Sequence, residues 1–268
     1  MTPARHPVDL SVGQFRDAWR VMCRASPTHR FETTTNVTYV FSGVPVAFFN
    51  VAIVTTPSVT AALLRASGEE AMAWADGSGV PWLLVVTHQA IESGVDAQAV
   101  LAGCGLTPLL PLTGMRADRV VPADAPGGLA LSVPLDEPGC GALVDVNSAA
   151  YGMDLAAAKS LLGAPAFWNG HVPALGCADD GAAVTSAAVL LVEGHRYVAM
   201  VATHPEHQRR GYAAAAMRHA LDIAADRHGE LPTVLHATDA GRPVYERMGY
   251  TPIATHTCYI ASTFLAGH

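Results

Sequence analysis

The spacing of apolar residues in the second half of the chain predicts a strand, a turn and a helix in succession. Residues 198–202 form an apolar run long enough for a buried strand, and Pro205 and Gly211 then indicate a turn. Beyond the turn, apolar residues recur on one helix face, until Gly229 and Pro232 end the pattern. The apolar face consists of Met217, Leu221 and Ala224. Such a unit points backbone N–H groups at the turn, where an anion can bind.

Composition excludes several classes of protein. Half of the 268 residues are hydrophobic and 15% are charged, which provides a full core and excludes a disordered chain. Sixteen basic and 23 acidic residues give a net charge of −7, so we expect no nucleic-acid partner. The five cysteines are scattered, and no apolar stretch matches a signal peptide or a membrane span. We therefore expect a cytoplasmic monomer or homodimer without a membrane partner.

Familiar catalytic motifs are missing from the sequence. It contains no G-x-S-x-G elbow, no H-E-x-x-H helix and no G-x-G-x-x-G after a strand. Lys159-Ser160 lacks the glycines of a phosphate-binding loop. Among twelve histidines, His204 and His207 are the closely spaced pair, and we expect surface and core histidines rather than a metal site.

Two arginines stand at the predicted start of the helix. Arg209 and Arg210 occupy the end at which the helix dipole disfavours cations by roughly 0.3–1 kcal/mol each. A bound polyanion such as a pyrophosphate would offset both the dipole and the arginines. A solvated basic turn without a ligand is the alternative that these residues leave open.

The turn and a later segment resemble the GNAT superfamily of N-acetyltransferases. Residues 208–213 are similar to the family's Q/R-x-x-G-x-G/A signature, which binds the pyrophosphate of acetyl-CoA, and Ala213 replaces the last glycine. Residues 244–250 resemble the second motif, a helix with Y-x-x-x-G-F/Y ahead of a strand. The resemblance implies a cofactor loop made of Gln208, Arg209, Arg210, Gly211, Tyr212 and Ala213. It also implies an α/β (α+β) fold with a mixed, mostly antiparallel twisted sheet, helices on both faces and a splayed central strand pair.

The rest of the C-terminal half is similar to the family in the order of its elements. We predict strands at 129–134, 171–178, 182–193, 195–203, 232–236 and 250–261. We predict further helices at 139–149, 154–162 and 239–248. Asp179-Asp180-Gly181 and Glu193-Gly194 indicate the turns of a three-stranded meander.

A faint repeat relates the first half of the chain to the second. Residues 51–57 parallel 198–205, and residues 105–108 parallel 249–252. Between these anchors the first half predicts a helix at 58–74, a strand at 81–87 and a helix at 96–104. A chance match between two α/β segments is the alternative interpretation.

The first copy lacks the residues of the signature loop. In this alignment Leu63 stands opposite Gly211 and would fill the space that a pyrophosphate needs, and Leu101 stands opposite Tyr245. We therefore predict a degenerate GNAT-like domain over 1–121, a Pro/Gly-rich linker over 122–128 and a catalytic tandem partner over 129–268.

The resemblance also implies roles for individual residues around the loop. The strand residues Val201, Ala202 and Thr203 would bind the pantetheine through main-chain groups, and an N–H near Val201 would face the acyl oxygen. Tyr245 would be the general acid, and Thr238 stands where the family often has an asparagine that contacts the cofactor. His204 is a candidate general base, although a structural turn histidine is the competing interpretation.

The function predicted from the sequence is transfer of an acetyl group from acetyl-CoA to a primary amine of a small molecule, with no metal. Two alternatives remain open at this point. One is a non-catalytic module that binds or senses acyl-CoA, and the other is acetylation of a protein N-terminus. A tRNA substrate is disfavoured by the acidic charge balance.

Overall fold

The computed structural model describes residues 6–265, which fall into two compact units. Within the described residues, unit 1 comprises 6–114, 236–240 and 252–265, and unit 2 comprises 115–235 and 241–251. No helix between residues 6 and 265 is both long and apolar enough to cross a bilayer. The predicted division into 1–121 and 129–268 stays a prediction, and the units differ from it in where 115–121, 236–240 and 252–265 fall.

Unit 1 contains three helices and the strands of a mixed sheet. The helices are α1 (Pro7–Cys23), α2 (Ala61–Ala75) and α3 (Ala97–Ala102). The strands are β1 (Arg30–Thr33), β2 (Val37–Phe41), β3 (Asn50–Val54), β4 (Leu83–Thr87), most of β5 (Leu106–Ala117) and most of β11 (Thr251–Ala261). Their order is β1-β2-β3-β4-β11-β5, with β3 and β4 parallel and β4 and β11 antiparallel.

The core of unit 1 lies on its central strands. Every residue of β2, β3 and β4 is buried, as the continuous apolar runs at 51–54 and 83–86 require. Leu64 of α2, Leu84 of β4 and Leu101 of α3 belong to one buried cluster. Helix α1 and the strands β1 and β2 lie outside the predicted elements.

Unit 2 contains five helices and five strands. The helices are α4 (Glu137–Tyr151), α5 (Leu155–Leu162), α6 (Pro165–Trp168), α7 (Tyr212–His228) and α8 (Arg242–Arg247). The strands are β6 (Leu129–Ser132), β7 (His171–Ala178), β8 (Ala183–Val192), β9 (His195–Thr203) and most of β10 (Thr233–Ala237). Their order is β10-β9-β8-β7-β6, antiparallel except for β9 and β10. The predicted meander and the mixed, mostly antiparallel sheet are confirmed.

The two halves of the chain share one order of elements. The sequence β3-α2-β4-α3-β5 in the first half repeats as β9-α7-β10-α8-β11 in the second. The predicted pairing of Leu63 with Gly211 is wrong, because α2 begins after Thr60 and α7 begins after Gly211. When the helix starts are aligned, Thr60 stands opposite Gly211. The degenerate character of the first half stays a prediction.

Candidate functional site

A bulge interrupts the strand that leads into the predicted loop. On β8, Ser186 pairs with Ala202 and Ala188 pairs with Ala199, so β9 carries one residue more than its partner between these positions. Met200 lies in this interval at φ 53°, a left-handed conformation that costs a non-glycine residue about 1–3 kcal/mol. Bulges turn backbone groups away from the ladder, and this one lies in the middle of the predicted pantetheine-binding strand.

Strands β9 and β10 separate after a short parallel contact. Their register pairs are Arg196 with Thr233 and Tyr197 with Val234, at the beginning of both strands. The remaining residues of β9, including Val201, extend past this contact. The corresponding strands of unit 1 pair at three successive positions, from Val51 with Leu83 to Ile53 with Val85. The predicted splayed pair in the C-terminal half is therefore confirmed.

Side-chain hydroxyls bind the carbonyl groups around the bulge. Tyr151, the last residue of α4, donates to the Val201 oxygen at 2.5 Å, and Thr185 donates to the Ala202 oxygen at 2.8 Å. Ser186 donates to the Met200 oxygen at 3.1 Å. Because the N–H of a trans peptide points opposite to its C=O, the bonds from Ser186 and Thr185 direct the N–H groups of Val201 and Thr203 away from β8.

The signature loop leads into a helix, α7, whose first turn has no side-chain cap. Arg209 and Gly211 have φ values of 61° and 80°, and no side chain caps the first turn of α7. A Cβ atom on Gly211 would meet no atom closer than the Pro126 Cγ at 4.0 Å, so the glycine is required by its conformation rather than by protein packing. Arg209 and Arg210 are exposed beside this turn. The arrangement offers free N–H groups, a helix dipole and two cations to an anion.

Tyr245 lies in α8, in the same unit as the loop and the bulge. Its ring centroid is 6.1 Å from that of Tyr250, and burial together with the neighbouring Tyr151 and Tyr250 raises its pKa above the usual value of a phenol. Desolvation of its hydroxyl raises the pKa of Tyr151 to about 12, although the residue as a whole is 52% exposed. Both phenols therefore carry their protons throughout the neutral pH range.

His204 and His207 lie in a short 3-10 turn, Pro205–His207, that follows β9. The His204 Nδ1 accepts the backbone N–H of Glu206 at 3.4 Å, which is the contact expected of a turn-capping histidine. Potential ligand atoms of His204, Glu206 and His207 lie within 4.8 Å of one another. The expectation that the protein holds no metal stays a prediction.

The structure gathers most of the predicted site residues in unit 2. The strand residues Val201, Ala202 and Thr203 lead into the loop residues Gln208, Arg209, Arg210, Gly211, Tyr212 and Ala213. The Gln208 side chain reaches back to the Thr203 oxygen at 3.5 Å. Thr238 follows β10 in the segment 236–240, which groups with unit 1.

Comparison with known proteins assigns a family to one segment of the C-terminal half. Residues 150–250 match the model of the Acetyltransferase (GNAT) family. This segment is a GNAT-family domain. The predicted resemblance is thereby confirmed for the segment that holds the bulge, the loop and Tyr245.

Solved structures with the same fold extend over the whole chain. A GCN5-related N-acetyltransferase from Kribbella flavida is 22% identical, with 95% of each chain covered and a TM-score of 0.66. A putative GNAT-family acetyltransferase from Novosphingobium aromaticivorans is 17% identical, with 96% of this chain and 98% of that chain covered and a TM-score of 0.58. A tandem GNAT protein from the clavulanic acid biosynthesis pathway is 16% identical, with 94% and 95% covered and a TM-score of 0.55. These likenesses show the fold, and no curated protein matched the sequence.

Three residues at the bulge of β9 escaped the sequence analysis. Tyr151 lies two residues beyond the predicted end of its helix, and Ser186 lies beside Thr185 in a strand whose other residues are apolar. Met200 gives no signal at all, because its positive φ depends on the strand pairing around it. The extension of the helix to the αL residue Gly152 could have been predicted from the C-cap preference for glycine.

Proposed function

We propose that the chain transfers an acetyl group from acetyl-CoA to a primary amine of a small molecule, by direct attack on the thioester. The observation that carries the proposal is a bulged strand that leaves its parallel neighbour and runs into a loop with an uncapped helix start. The strand suits a ligand with an extended arm that contains amide groups, and the helix start suits a ligand with a pyrophosphate. Acetyl-CoA combines these two groups with an acyl carbon at the far end.

The loop residues would bind the charged end of the molecule. The N–H groups that follow Gly211 and the side chains of Arg209 and Arg210 would bind an anion without competition from a capping side chain. Main-chain groups of Val201, Ala202 and Thr203 would pair with the pantetheine amides in the manner of a strand. Thr238 stays a proposed contact on the resemblance alone.

The splayed strands would hold the reacting carbonyl. The amine nitrogen forms a bond to the acyl carbon and loses a proton to solvent or a base, and the C–S bond breaks. The Val201 N–H would donate to the oxygen as negative charge develops there, a contribution typically worth 10²–10³ in kcat. Tyr245 would give its proton to the departing thiolate. The contact of His204 with its own turn supports a structural role for that residue.

The first test is thermal stabilisation of the full chain by acetyl-CoA. A ligand that binds only the native state stabilises it by about 2.7 kcal/mol at a hundred times its Kd, so the Tm should rise. Gly211→Leu should abolish the rise, because leucine resists the positive φ and covers the helix start. Gly181→Leu is the matched control: Gly181 has φ 83° in the turn after β7 and open space around it, so this variant should lose stability but keep the rise.

The second test is a panel of small primary amines, with release of the coenzyme A thiol as the readout. Turnover of one class of amine supports the proposed enzyme. Binding of acetyl-CoA without turnover of any amine or peptide N-terminus would favour the non-catalytic sensing module instead. A Tm rise that survives Gly211→Leu would show that the loop is not the binding site.

A further inference from the structure

A one-way chain of hydrogen bonds connects helix α4 to the bulge of β9. The Asn147 side-chain NH2 donates to the Leu143 oxygen at 2.8 Å and to the Ser186 Oγ at 3.0 Å. The Ser186 hydroxyl then donates to the Met200 oxygen at 3.1 Å. Asn147 and Ser186 are fully buried, so solvent does not replace these bonds. The chain thus begins on a helix and ends on one peptide group of the bulge.

That peptide group also carries the Val201 N–H. The Met200 carbonyl and the Val201 amide belong to one planar trans unit, so they point in opposite directions. A bond that fixes the Met200 oxygen toward Ser186 therefore fixes the Val201 N–H on the opposite side. Met200 needs this support, because its positive φ is unfavourable for methionine on its own.

We propose that Ser186 and Asn147 are positioning residues that aim the Val201 N–H at the acyl oxygen. The inference rests on the proposed function, in which this N–H donates to the thioester carbonyl. Neither side chain needs to touch the substrate. Loss of these hydrogen bonds should let the 200–201 peptide rotate. A displacement of about 1 Å at a reacting group costs on the order of 10²-fold in rate.

The direct test measures the carbonyl of bound acetyl-CoA. We would record isotope-edited infrared difference spectra of acetyl-CoA labelled with 13C at the thioester carbonyl, bound to the full chain. In the wild-type protein the stretch should move below its frequency in water, because a fixed N–H donates to the oxygen. Ser186→Ala should lose most of this shift while its Kd for acetyl-CoA stays within about threefold.

Thr185→Val is the matched control. Thr185 donates to the Ala202 oxygen at 2.8 Å, so this variant removes a buried hydroxyl–carbonyl bond from the same strand pair but not from the 200–201 peptide. It should keep the full infrared shift. An unchanged shift in Ser186→Ala with acetyl-CoA bound would overturn the positioning role and leave the proposed function intact. Failure of the wild-type chain to bind acetyl-CoA would overturn both.

Asn147→Ala tests the same chain from its other end. If Asn147 acts through Ser186, the variant that combines Asn147→Ala with Ser186→Ala should have a kcat no lower than that of Ser186→Ala alone. We expect that kcat to be about 10²-fold below wild type, measured with an amine that the wild-type protein acetylates. If the two substitutions lower kcat by factors that multiply, the two residues act separately, and this result would overturn the proposed hydrogen-bond chain. If Ser186→Ala does not fold, the infrared shift of Asn147→Ala decides in its place.

Discussion

Burial sets the protonation state of the side chains around the proposed reaction centre. The phenol of Tyr245 has a pKa above its ordinary value because it is desolvated and lies near two other tyrosines. Such a phenol is fully protonated at neutral pH and can donate to a thiolate. Its raised pKa also makes it a weaker acid, so donation should contribute most late in C–S cleavage, when charge on sulfur is largest.

We therefore expect Tyr245→Phe to lower turnover by a factor of about 10²–10⁴ while the Tm rise with acetyl-CoA stays unchanged. The ring and its packing remain, and only the hydroxyl is lost. In the wild-type protein, loss of activity through ionisation of Tyr245 should occur above pH 10, because the pKa is raised.

Tyr250→Phe is the control for this change. It removes a buried hydroxyl that bonds the Thr233 Oγ1 at 2.9 Å in the same unit. This variant should lose about 1 kcal/mol of stability and keep its turnover. Equal turnover in Tyr245→Phe and wild type would assign Tyr245 to packing.

A second residue-scale expectation concerns stability in mild acid. Burial beside Phe167 and Trp168 lowers the pKa of His171 to about 4, below its unfolded value of about 6.5. Between these values the unfolded chain binds a proton that the folded chain does not, so stability should fall by about 1.4 kcal/mol per pH unit as pH drops. Urea unfolding from pH 7.5 to 4.5 would measure this, and His171→Phe should give a shallower slope. An identical slope in both proteins would exclude His171 as a cause of the loss of stability in mild acid.

At the scale of elements, the two halves differ in how their equivalent helices begin. Thr60 caps α2 by accepting the Leu63 N–H at 3.1 Å, whereas Gly211 leaves the start of α7 uncapped. A capping hydroxyl occupies a donor that a phosphate would otherwise use. The first half thus lacks an open helix start because Thr60 caps it, and not because Leu63 stands opposite Gly211.

Thr60→Ala should therefore cost about 1 kcal/mol of stability without creating a second binding site for acetyl-CoA. Calorimetric titration of the full chain should give the same number of sites for this variant and for wild type. An additional site in Thr60→Ala would show that the cap alone silences the first half.

How well the elements could be predicted from the sequence depended on what bounds them. Strands β7 and β9 were predicted at 171–178 and 195–203 because an Asp-Asp-Gly turn follows the first run and a Glu-Gly turn precedes the second. The bulge at Met200 could not be predicted, since it depends on pairing with β8 and on hydroxyls of β8 and α4. Periodicity reports which face a residue occupies, and it carries no information on a single reversed φ.

At the scale of the whole molecule, unit 1 depends on the C-terminal segment of the chain. Strand β11 pairs antiparallel with β4 from His256 with Thr87 to Ile260 with Leu83, and Cys258 between them is fully buried. In the strand order of unit 1, β11 stands between β4 and β5. The first 121 residues therefore lack a central strand of the unit to which most of them belong.

We expect the isolated fragment 1–121 to give no cooperative unfolding transition. Circular dichroism during urea titration would measure this, with the full chain as the reference. Adding a synthetic peptide of residues 250–265 should restore a transition in proportion to its concentration, because β11 supplies the missing ladder. A sharp transition in the fragment alone would show that the unit does not need β11.

The pairing of β4 with β11 also has a consequence for biosynthesis. Thr87 and its partner His256 are 169 residues apart, so the ladder cannot form until β11 has left the ribosome. Unit 1 therefore completes its sheet only after residues 115–235 of unit 2 have been translated, and the apolar edge of β4 stays open until then. Translation speed and chaperone supply should consequently affect the yield of this protein more than that of a chain whose N-terminal domain closes on itself.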